Sequence, residues 1–306
     1  MLRALVVIAA LIAVPLGVAA SVRSVTTAGP VVAIALDSRR VAYAEGLSTR
    51  DCDRVWVWNL QTRRVTKLGR STPCVQTSTG VGIASLTLAG GRVLWLHYAG
   101  GNIREWRLFT ATVSAPRPRL LRFVALDVDA PAPIVVGDGN TSRFGDLLPY
   151  AVGRDVVVLR PDGSRRFTWR APTRVTAVSA LFGEVAVAGE DGLVTVLSAA
   201  GKVVGSAQFS GSVSAVKLSG DGVLAQVRSR LELFRAGETR TFALPRDARL
   251  EDAQGERAYF VAGGQTRQLL LTTGEQKTIA AGSHIGVALA TVGVSSGRRV
   301  TARPLP

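Results

Sequence analysis

The segment Arg174–Phe209 reads as four short alternating runs, RVTAVSA, GEVAVAG, LVTVLS and KVVGSAQF. They are separated by Glu190-Asp191-Gly192 and an Ala-Ala-Gly step, residues that tolerate the positive φ of tight hairpins. The layout recurs over Ser212–Leu244 and Ala248–Ala281. A self-similar unit of about 35 to 39 residues, with no helix-length periodic stretch, constrains the chain strongly. One such unit cannot bury both of its faces alone. A ring of stacked four-stranded units can.

The same template covers Val31–Gly69, Val81–Val128 and Pro133–Arg170, and residues 284–305 supply a last, incomplete unit without an outermost strand. Residues 22–29 precede the first unit and have no sheet of their own. They are expected to complete the last one, which removes an open sheet edge. The fold class predicted is therefore all-β, a β-propeller of four-stranded antiparallel blades. Seven blades are expected, with six as the alternative count, and the ring is closed by 22–29 joining the C-terminal blade. Residues 21–306 then form a single domain.

Residues 1–20 have Arg3, then a 17-residue apolar run Ala4–Ala20, ending Val18-Ala19-Ala20 before Ser21. This is the pattern of a cleaved secretory signal, and the alternative is a retained anchor. The mature chain has no other stretch able to span a bilayer. The expected location is the cell envelope or the exterior. Cys52 and Cys74 are the only cysteines, and in an exported chain they are expected to form a disulfide. The blade parse places both in loops of one face.

The segment Ile34–Gly69 resembles a TolB-like repeat, the WD-like unit of exported bacterial propellers. Asp37, Ala42, Tyr43, Trp56, Trp58, Leu60, Thr62 and Leu68 fill comparable places. Ser38 stands where the repeat has Gly, and Asn59 where a Trp-Asp pair has Asp. The resemblance implies a non-enzymatic scaffold that docks partners on one face or in its channel.

Residues in patterns that carry chemistry are sparse. Two histidines, His97 and His284, lie in separate blades, and no Gly-x-Ser-x-Gly elbow or phosphate loop occurs. Gly-Gly pairs fall between strands. Asp138-Gly139-Asn140-Thr141-Ser142 followed by Asp146 resembles a calcium loop, but Arg143 and Pro149 replace its Gly and Glu. Asp138, Asn140 and Asp146 are thus the metal candidates, calcium the one cofactor considered, and a plain turn the competing reading. The five tryptophans are expected to pack between blades.

The net charge is +15, with 33 Arg against 4 Lys, scattered along the chain. Either coding bias or attraction to an anionic polymer or lipid surface accounts for it; specific nucleic acid recognition is not expected. Three functions follow: a non-catalytic scaffold for a protein partner, a channel enzyme of lactonase or lyase type with a bound cation, and a polyanion- or carbohydrate-binding protein. For the scaffold, loops 46–54 and 69–80 are the candidate surface, with Arg50, Asp51 and Arg54 as exposed contacts.

Overall fold

A computed structural model describes residues 22–46, 54–69, 77, 80–137, 146–220 and 222–305. Among these the strands form seven four-stranded antiparallel sheets, and there is no helix. Each sheet is one predicted unit. The first blade comprises β2 (Val31–Leu36), β3 (Arg40–Glu45), β4 (Val55–Asn59) and β5 (Val65–Lys67), in that order from the channel outward. The signal-like segment 1–20 and both cysteines lie outside the described residues.

The last blade is built as the spare strand required. β1 (Arg23–Thr26) adds to β28 (Arg299–Pro304), so the sheet order is β1-β28-β27-β26, with β26 His284–Ala288 and β27 Thr291–Ser296. The seam continues past the sheet: Thr27 N donates to Arg298 O at 2.8 Å and Val31 N to Gly297 O at 2.9 Å. The ring is seven-bladed, and no edge of the last sheet is left for another chain to extend from the missing position.

The apolar residues sort into seven clusters, each shared by two neighbouring blades. Val31, Tyr43 and Trp58 of blade one meet Val300 and Ala302 of blade seven in the cluster that seals the ring. Small β-branched and Ala side chains suit these flat contacts. Trp58, Trp95 and Trp106 are buried, and Trp95 stacks on Phe109 at 5.7 Å between centroids. Most of the tryptophan surface is thus spent between blades.

Polar stitches add to the packing. Buried Asp37 accepts from Arg39 N (2.9 Å), Arg40 N (2.8 Å) and the Arg40 guanidinium (2.9 Å), and from Gly91 N of blade two at 3.2 Å. One carboxylate thereby shapes a turn and ties two blades. This gives the repeat-like Asp37 a physical role even with Ser38 after it.

Candidate functional site

Strands alternate in direction, so connections fall on two faces. The turn face carries the links between first and second strands and between third and fourth. The loop face carries the links between second and third strands and between blades. The channel runs between them.

The innermost strands of all seven blades line a channel cavity of about 180 Å³. Aliphatic residues such as Ile34, Leu86, Val135, Leu181 and Val287 line it, but the surface it presents is mainly polar, and blades five and six add Lys217, Glu251 and Asp252. The two adjacent acids both reach it because a β-bulge falls at Glu251: Leu250 pairs with Phe260 and Asp252 with Tyr259. A bulge suspends the alternation that would send neighbours to opposite faces. Asp252 accepts from Ala253 N at 2.9 Å and Val287 N at 2.7 Å, joining blades six and seven. Ser179 does the same for blades four and five, accepting from Leu218 N at 3.0 Å.

Burial pushes the Asp252 carboxyl above its ordinary range, against the opposing pull of Lys217 and the two amides. Asp252 is enclosed by protein yet keeps some surface open to the channel. Burial also raises Glu251, although Arg249 pairs with it. The Arg249 guanidinium further donates to Ser283 O at 3.0 Å and lies 3.3 Å from His284 Nδ1. His284 is pushed down to about 4, first by burial and then by Arg249. The channel can therefore hold a small polar group against mixed charge. Sequence reading missed these three residues; the available signal was charge in a blade's first strand, which other blades fill with apolar or small residues.

The loop face has one tall feature. In blade two the strands run Val81–Ala89, Arg92–Gly100, Ile103–Thr112 and Arg119–Asp127, nine or ten residues where blades four to seven have four to seven. Arg92 directly follows the Gly90-Gly91 turn, so the surplus projects on the loop face. At that end the Arg104 guanidinium lies over Tyr98 (5.0 Å) and Trp106 (5.7 Å), and Ile103 is 59% exposed at the tip. Beneath it His97 is buried and its imidazole pushed down to about 4, by burial and then by Arg107.

Arg54 is placed differently from expectation. Its side chain is 11% exposed and pairs with buried Glu45. It also donates to Gly46 O at 3.2 Å, while Glu45 accepts from Gly29 N at 3.2 Å. Arg54 therefore braces the turn that follows the closing strand β1, and the exposed guanidinium expected from the loop is absent. The reason is Glu45, opposite it across the hairpin, which sequence spacing did not connect to it. Arg50 and Asp51 lie outside the described residues, as do Asp138 and Asn140. Asp146 stands beside the Gly90 turn and Pro161. Among the described residues no three His, Cys, Asp or Glu side chains gather as a metal site, and no helix is long and apolar enough to cross a membrane.

No family model and no curated protein matches the chain. Solved structures do. A chain of the mitotic checkpoint complex superposes with a TM-score of 0.60 at 12% identity, over 93% of this chain and 95% of that one. Sqt1 from Saccharomyces cerevisiae gives 0.54 at 11%, over 92% and 98%. Raptor from Chaetomium thermophilum gives 0.59 at 12% over 92% of this chain. This chain spans 28% of Raptor's length. At such identities the likeness is one of architecture: the chain has a WD40-like, seven-bladed β-propeller fold.

Proposed function

We propose that this is an exported, TolB-like envelope scaffold, without catalytic activity, that binds a protein partner on its loop face. The observation that carries the reading is the blade-two hairpin. An exposed Ile at a tip, above an Arg stacked on Tyr and Trp, is the composition of an interface anchor. The described ends of the two loops, Gly46, Arg54 and Gly69, lie on the same face as the hairpin, and the proposal adds Arg50 and Asp51, which lie outside the described residues, to that surface. Export is supported by the apolar segment 1–20, and a disulfide between Cys52 and Cys74, the only two cysteines, is part of the proposal.

The test is recovery of a partner from envelope extracts by wild-type chain, compared with Ile103→Asp and Arg104→Ala. A specific partner that is retained by wild type and lost by both variants, at unchanged melting temperature, is expected. A chain always recovered alone, or a partner indifferent to both changes, contradicts it.

A second reading rests on Lys217, Glu251 and Asp252: the channel takes a small cationic ligand. It adds to the 137–146 loop, whose Asp138 and Asn140 lie outside the described residues, as a basis for a channel site. A panel of amines and divalent ions, calcium included, tests it by thermal shift; Glu251→Gln should abolish any shift.

A further inference from the structure

We propose that the turn face docks on an anionic lipid bilayer, with the groove between blades seven and one seating a phosphate headgroup. The inference is independent of any partner on the loop face. Four observations on different elements point to the same side of the ring.

The first is exposed apolar surface. Among the described residues, Val22, Val113, Leu120, Phe182, Leu289 and the pair Val203-Val204 are large, exposed and apolar. All stand at or beside turn-face connections. Ile103 alone is at the loop face, and Phe123 is mid-strand. Phe182 and Leu289 occupy the tight turns between first and second strands of blades four and seven, each with φ 50°. Asn or Gly is the usual residue in that left-handed position, and a bulky apolar one there carries strain. Folding does not call for either side chain. Blades four and seven lie nearly across the ring, so the two tips flank the channel mouth.

The second is charge. Arg39, Arg63, Arg64, Arg117, Arg165 and Lys202 are exposed on the same face, on turns of blades one to four. Exposed Asp162 and Glu184 are interspersed among them, and exposed Glu238, Glu256 and Glu275 stand on the turns of blades five and six, so the positive excess is confined to the arc of blades one to four.

The third is the groove, about 380 Å³, lined by Arg23, Arg39 and Arg303 together with Ser38, Leu60 and Pro304, and by no carboxylate. Arg303 is held by donating to Ile279 O at 2.9 Å. Arg23 and Arg39 form no ion pair among the described residues. Three guanidinium groups around an apolar-floored groove fit a phosphate monoanion with an acyl or glycerol base beneath it.

The fourth is the course of the chain. β1 runs from the turn face to the loop face, so Val22, 67% exposed, leaves from the turn face. The residues before it are the apolar run Ala4–Ala20. A chain held by that segment would meet the membrane with this face. Apolar tips spread across a basic face, with no single concave patch, suit a lipid interface better than a protein groove.

Flotation with vesicles tests this, using phosphatidylcholine alone and phosphatidylcholine mixed with phosphatidylglycerol. The full chain and a chain lacking residues 2–21 are compared; the latter retains every strand of the seven blades. The shortened chain is expected to float with the anionic vesicles only, and less as salt rises. Arg23→Glu combined with Arg39→Glu should weaken binding about tenfold or more. Phe182→Asn, which suits the turn and removes only the apolar tip, should weaken it several-fold. The proposal is overturned if the shortened chain ignores anionic vesicles, if the arginine variant binds as wild type does, or if the chain binds soluble heparin but no vesicle. Unchanged melting of each variant separates these outcomes from misfolding.

Discussion

Val25 stands opposite Val300 in the antiparallel pairing of the first strand with the last. The two ends of the described chain are thus joined by backbone hydrogen bonds, and Val25 packs into the cluster shared by blades seven and one. Val25→Asp places a charge in that seam and should lower stability by about 2–4 kcal/mol. Ser24→Asp, on the exposed side of the same strand, should change it by less than about 0.5 kcal/mol. Urea unfolding of both variants checks the contrast.

Glu45 and Arg54 form a pair whose side chains are 3% and 11% exposed. Glu45→Ala leaves a buried guanidinium without its carboxylate and removes the acceptor for Gly29 N. A loss of about 3–5 kcal/mol is expected. Arg170–Asp155, with side chains 68% and 57% exposed, is the comparison: Asp155→Ala should lose no more than about 1 kcal/mol. Equal losses would mean that Arg54 faces solvent.

Both histidines are held below their ordinary value, so the native ring keeps them neutral where the unfolded chain protonates them. Their contribution is intact above pH 6.5, declines as pH falls toward 4, and declines no further below that. Raised Asp252 and Glu251 act in the opposite sense, since the folded state takes up their protons first. A difference measurement isolates His97. Relative to His97→Gln, wild type should lose up to about 3 kcal/mol between pH 7 and 4. Parallel stability curves for the two proteins would contradict it.

Asp252 satisfies two backbone amides on adjacent blades. Asp252→Ala leaves both unmet and should lower stability by about 1–3 kcal/mol, with Asp252→Asn intermediate because its single carbonyl oxygen can still accept. Faster amide exchange at Val287, confined to that variant, would locate the loss at the channel.

The strand order was legible because Gly and Asp-Gly steps mark each hairpin and the runs between them alternate with period two. The closing strand was legible by elimination, one strand too many at the start and one too few at the end. The site was less so. Arg54 looked like a loop residue because its partner Glu45 lies across a hairpin. Glu251 and Asp252 were missed because period-two alternation sends neighbouring side chains to opposite faces, whereas the bulge turns both inward. The arginines looked scattered because third-to-fourth-strand turns such as those at Arg63, Arg117 and Arg165 recur once per blade, far apart in sequence and side by side in the ring.

The most direct test of the closed ring is hydrogen exchange at residues 23–26 in the native protein. Their amides should be as protected as those of Gln276–Ala281, the outermost strand of blade six, and should lose protection together with residues 299–304 in Val25→Asp. Exchange of 23–26 at the rate of an unfolded peptide, with 299–304 unaffected by the substitution, would show that the first strand does not close the ring.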